Sequence, residues 1–108
     1  MKKTLREKLT DGLLAAGLKE QKSRFGGGPA FYLGKKEVAH FHNENEIDIR
    51  LTKKVIKEVL PDLEEAYKCH QRTASSDWLE FQFWKDHDVE RAVALVRDVV
   101  QKERARER

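Results

Sequence analysis

The 108-residue chain reads as one α+β domain spanning residues 1–108: an antiparallel sheet of about five to six strands with N-terminal, central and C-terminal helices packed on one face. Apolar residues recur at helical spacing near both ends, as Leu5, Leu9 and Leu13 and again as Val89, Ala92, Val93, Val96 and Val100. The middle of the chain changes to a period of two, with Phe31 and Leu33, then Glu37 to His42, then Ile47 to Leu51 set between turn-forming stretches. The length suits a single domain and excludes a barrel enzyme of ~250 residues.

Each element follows from local chemistry. Thr4 with Glu7 three positions on predicts a capping box, Leu14, Ala16 and Leu18 extend the first apolar stripe, and Gly17 stops it. Glu20 to Phe25 is polar enough for an edge strand, and Gly26-Gly27-Gly28-Pro29 interrupts regular structure. That glycine run feeds a proline and a strand instead of a helix, so it is no phosphate loop; it reads as a mobile connection, a lid over a polar face. Gly34-Lys35-Lys36 and Asn43-Glu44-Asn45-Glu46 then turn one strand into the next.

Thr52 is positioned to cap a short helix carrying Val55, Ile56, Val59 and Leu60, with Pro61 ending it and Asp62 to Ala66 forming a loop. Tyr67 to Arg72 and Trp78 to Trp84 read as two further strands. Leu79, Phe81 and Phe83 alternate with Glu80 and Gln82, which gives the last strand one buried and one wetter face. Asp86 or Asp88 begins the final helix.

Twenty-two Lys plus Arg against nineteen Asp plus Glu leave a net charge of +3, with the two signs interleaved. A strong nucleic-acid binder concentrates its cations in a stripe, so the basic ends favour a solvated helix terminus over a nucleic-acid tail. Cys69 is the single cysteine, which excludes an internal disulfide and a thiolate zinc cluster and fits a reducing compartment. It neighbours His70 on a strand, so the two face opposite ways and Cys69 reads as a small buried hydrophobe. No apolar stretch resembles a signal segment or reaches the ~20 residues of a membrane span, and the expected location is the cytoplasm.

The chemistry-bearing pattern is His40-Phe41-His42. Side chains two apart on a strand leave from one face, with ~6.5–7 Å between Cα atoms, so both imidazoles can converge on one object. A three-residue turn over Asn43 to Asn45 places His42 opposite Glu46, His40 opposite Asp48 and Val38 opposite Arg50, while Phe41 faces Ile47 and Ala39 faces Ile49. The resulting polar face holds His40, His42, Asp48 and Arg50, with His70 able to join from a neighbouring strand. A turn one residue longer or shorter would seal the imidazoles among aliphatic groups, at a desolvation cost. His40, His42 and Asp48 are the candidate ligands of a divalent metal, with His70 an alternative third ligand, and Trp78 could stack on a small-molecule ligand or cover the core. Without a metal, an Asp48–His40 hydrogen bond would suit acid–base work. The plainer reading is a solvated sheet face on which histidines pair with carboxylates.

The stretches Gly28 to His42, Ile47-Asp48-Ile49-Arg50-Leu51, His70, Ser76 to Phe81 and Asp88 to Val93 resemble the small bacterial proteins of the luciferase-domain family, over roughly residues 28 to 100. The resemblance implies a binding role for His40, His42, Asp48, His70 and Trp78. The chain departs from the family pattern at Asp77, where glycine is common, and over Asp48 to Thr52, where a proline is frequent. The label implies no light emission, and the chain is too short for the flavin-dependent barrel luciferases. The hairpin of Phe31 and Leu33 followed by a tryptophan strand is also similar, more weakly, to double-wing proteins of the MmcQ/YjbR type, which implies a nucleic-acid or protein interaction module as the alternative.

Overall fold

The computed structural model describes residues 2–23 and 28–106. Along the chain run α1 (Leu5–Ala15), β1 (Lys19–Lys22), β2 (Pro29–Leu33), β3 (Lys36–Asn43), β4 (Glu46–Arg50), α2 (Lys53–Ala66), β5 (Cys69–Gln71), β6 (Trp78–Gln82) and α3 (Asp86–Arg106). The strands form one sheet in the order β1-β2-β3-β4-β6-β5, with every neighbouring pair antiparallel. The α+β expectation is met. One face of the sheet carries fully buried Phe31, Ile47, Ile49, Leu79 and Phe81, which join Leu9 and Leu13 of α1, Ile56 of α2 and Val96 of α3 in a single core.

α1 begins and ends as its sequence dictates. Thr4 Oγ1 accepts the Glu7 amide at 3.1 Å and the Thr4 amide donates to Glu7 Oε1 at 2.9 Å, so two otherwise orphaned donors are satisfied. At the other end Gly17, at φ +107°, donates to Leu14 O and the Leu18 amide reaches Leu13 O, the reciprocal pair that closes a helix on a left-handed residue. Leu13 and Leu18 are both buried, whereas Leu14 faces outward. Gly12 lets α1 approach α3: a Cβ there would lie 2.5 Å from Val93 Cγ2.

The proline readings need two corrections. Pro29 opens β2, where its missing amide hydrogen is tolerated at the first strand position. Pro61 does not end α2, which continues to Ala66 and takes in the stretch expected as a loop. Pro61 and Lys57, whose carbonyl loses its partner, are both exposed, so that carbonyl is open to water; two residues on, Leu63 is buried in the core. The lid expected over Gly26-Gly27-Gly28 falls largely outside the described residues.

β3 carries two extra residues. Phe31 pairs Ala39 but Tyr32 pairs Glu37, which leaves Val38 unmatched; Phe41 pairs Ile47 but Asn43 pairs Glu46, which leaves His42 unmatched. Each is a β-bulge, and a bulge re-aims the side chains around it. The expected pairings His40–Asp48, Phe41–Ile47 and Ala39–Ile49 are present. His42 is not opposite Glu46, because the turn is one residue tighter than expected, and Val38 does not face Arg50 but is buried with the core.

At the β4–α2 junction Thr52 adopts φ 81° and ψ 148°, a region that a β-branched residue occupies only under constraint. The constraint is Asp77. Its carbonyl accepts the Leu51 and Thr52 amides at 2.9 and 3.1 Å, and its Oδ1 accepts the Lys53 amide at 2.9 Å.

Candidate functional site

On the face away from the helices, one row crosses four strands. His40 of β3 is opposite Asp48 of β4, Asp48 is opposite Glu80 of β6, and Glu80 is opposite His70 of β5. Neighbouring strands lie ~4.8 Å apart, so these four side chains, acidic within and basic outside, are forced into contact.

Asp48 is the centre of the row and has no exposed surface. Its Oδ2 accepts from His40 Nε2 at 2.9 Å and from Arg72 at 2.5 Å, with His42 Nδ1 at 3.7 Å. Both histidines of the pair therefore lean toward one carboxylate, as their spacing predicts. Asp48 Oδ1 is buried with no hydrogen-bond partner. Such an atom is costly, because a carboxylate oxygen withdrawn from water recovers its solvation only through a donor or a cation.

Arg72, at the end of β5, bridges the two acids of the row by donating from Nε to Glu80 Oε2 at 3.2 Å while its other arm holds Asp48. His70 Nε2 reaches Glu80 Oε1 at 2.5 Å, so His70 joins the network through Glu80 and not through Asp48. Trp78 stands against His40, ring centroids 4.9 Å apart and tilted by 49°, and thus belongs to the polar face. Beyond His40 lies Glu37, buried, with Oε1 accepting from Ser23 Oγ at 2.7 Å. Its Oε2 is 3.7 Å from His40 Nδ1, and neither atom has a hydrogen-bond partner.

Carboxylate oxygens of Glu46, Asp48 and Glu80 lie within 4.8 Å of one another, the spacing of ligands around one ion. The histidine set expected from sequence, His40, His42 and Asp48, shares only Asp48 with this group. Arg50 is absent from the ion pairs of Asp48; it lines a cleft between α2 and α3 and helps to hold the Glu103 carboxyl below its ordinary range, where the hydrogen bond from Lys36 is the main cause. Cys69 is half-buried on the opposite side from His70, packed against the core, and burial pushes its thiol up to about 11. It is protonated and unreactive at neutral pH.

A model of the luciferase domain matches residues 35–98, more than half of the sequence. The chain belongs to the luciferase-domain family. The matched stretch runs from the start of β3 into α3 and carries every member of the row with Glu37, Glu46, Arg72 and Trp78, while α1, β1 and β2 lie outside it. No curated protein and no solved structure gives a significant match. No helix among the described residues is long and apolar enough to cross a membrane.

Four residues of this cluster carry no local signal in the sequence. Glu80 was assigned to the wetter face of its strand, but its contact with Asp48 requires β6 to pair with β4, which no local signal gives. Glu46 joins by the same pairing. Arg72 follows the last residue of β5 and comes back over the sheet. Glu37 has the wrong parity for the His40 face in a regular strand, and only the bulge at Val38 brings it there.

Proposed function

We propose that this luciferase-domain protein binds a divalent metal ion on its His/Asp face, with Glu46, Asp48 and Glu80 as first ligands and the half-exposed His42 turning in as a fourth. The buried, partnerless Oδ1 of Asp48 carries the reading, because an ion beside it would restore what burial removed. His40 and Arg72 hold Asp48 and Glu80 in place in the ion-free protein, and His40, fixed by Trp78, is a positioning residue. A carboxylate-rich set with one imidazole suits manganese or zinc better than a soft ion. With an ion seated, an adjoining small-molecule ligand would meet Trp78 and His70. Cys69 as a lone protonated thiol fits a reducing, cytoplasmic setting.

Arg72 supplies the discriminating test. Its guanidinium occupies the cation's place between Asp48 and Glu80 and must leave when an ion enters. In calorimetric titration with Mn²⁺ and Zn²⁺ near pH 7, Asp48→Asn is expected to weaken binding by about 100-fold, whereas Arg72→Ala is expected to tighten it by about tenfold. Equal affinity in wild type, Asp48→Asn and a His40→Ala, His42→Ala double variant would end the proposal.

A further inference from the structure

On the other side of the sheet, between the first turns of α2 and the C-terminal half of α3, lies a cleft of about 240 Å³. Leu51, Val55, Val59, Leu95 and Val99 contribute its apolar lining. The rim is charged. Lys36 and Arg106 share Glu103, at 2.9 and 3.6 Å, while the side chains of Arg50 and Lys102 make no hydrogen bond or ion pair among the described residues. Glu58 and Asp98 are the remaining acids there, so once Glu103 is matched to Lys36 the cations of the rim prevail. The mouth also holds Thr52 at the N-terminus of the 14-residue α2, whose first turn contains no acidic residue to meet the positive end of the helix.

An apolar floor with a surplus of cations at one rim matches a particular chemistry: a short unbranched chain ending in an anion. A neutral apolar molecule would leave the cations unanswered, and a bare inorganic anion would leave the aliphatic floor wet. The volume admits one chain, not the two of a membrane lipid. We infer that the α2–α3 cleft binds a free single-chain carboxylate, its tail over Val55, Val59, Leu95 and Val99 and its headgroup between Arg50 and Lys102. The site does not depend on the metal reading, since the cleft and the His/Asp row share no residue.

The probe is sodium octanoate, titrated into the full chain by calorimetry, with 1-octanol and inorganic phosphate as the two half-ligands. Saturable one-to-one binding is expected for octanoate, at least about tenfold tighter than for either half-ligand, and an Arg50→Gln, Lys102→Gln double variant is expected to lose about tenfold toward octanoate alone. Both substitutions are at the rim, and thermal melting checks that the variant folds. The His40→Ala, His42→Ala variant is expected to bind octanoate as wild type does, so failure of the metal site and failure of this one are read separately. Absence of saturable octanoate binding, equal binding of octanol, an unaffected double variant, or sedimentation of the protein with phosphatidylglycerol vesicles in place of octanoate binding would each overturn the inference.

Discussion

On the helix-covered face of the sheet, Ile47, Ile49, Leu79 and Phe81 are fully buried against α1, α2 and α3; on the opposite face their immediate neighbours Asp48 and Glu80 are withdrawn from water among other charges. The strands are the same and only the parity of the residue differs. The apolar face gains roughly 1.5–3 kcal/mol for each large side chain buried, and among the described residues no buried side-chain polar atom of its core residues lacks a partner. The polar face gathers four carboxylates around two buried centres and leaves Asp48 Oδ1, Glu37 Oε2 and His40 Nδ1 unsatisfied. Replacing a whole buried ionic set by well-packed apolar residues of similar volume is frequently neutral or stabilising, so an arrangement of this kind is poorly explained as a device for holding the fold together.

The contrast can be broken at either face. Phe81→Ala removes a large, fully buried ring and is expected to cost about 3–5 kcal/mol in denaturant unfolding, enough to threaten folding outright. Thr4→Ala removes the cap of α1, which stands behind the apolar face, for about 1 kcal/mol. Its partner Glu7 has a carboxyl held below the ordinary range by the Thr4 amide and hydroxyl. The folded value is the lower one, so the contribution is complete above the unfolded value of about 4.3 and disappears as pH falls through the folded value. Melting of wild type and Glu7→Ala should therefore differ at pH 7 and converge in acid. Asp48→Asn, on the polar face, is expected to cost clearly less than Phe81→Ala in the same unfolding measurement, because Arg72 and His42 are half-exposed and can turn to water, which leaves His40 as the one mostly buried partner to lose its carboxylate. A large loss at Asp48 would make the polar row a structural element after all.

The architecture was legible where one period dominated. The stripes of α1 and α3, the capping box, the Gly17 stop and the alternation in β6 are local signals, and each is present. The hairpin between β3 and β4 was legible at His40, Phe41 and Ala39 and failed at its ends, because two bulges alter parity without a glycine or proline to announce them. Pro61 misled because its cost depends on the exposure of Lys57, a property of the folded helix and not of the sequence. The site was half visible: the histidine pair and Asp48 follow from two-residue spacing, whereas Glu80, Glu46 and Arg72 depend on β6 lying between β4 and β5.

Asp77 gathers three successive amides from the segment that leads β4 into α2, and the next residue opens β6. One side chain and its own carbonyl thus fasten the middle strand, the middle helix and the inserted strand to a common point, like a rivet through three plates. The carbonyl's grip on the Leu51 and Thr52 amides survives any substitution, so loss of the Asp77 carboxylate should release the Lys53 amide alone and fray the first turn of α2 at the mouth of the cleft while Thr52 keeps its torsion.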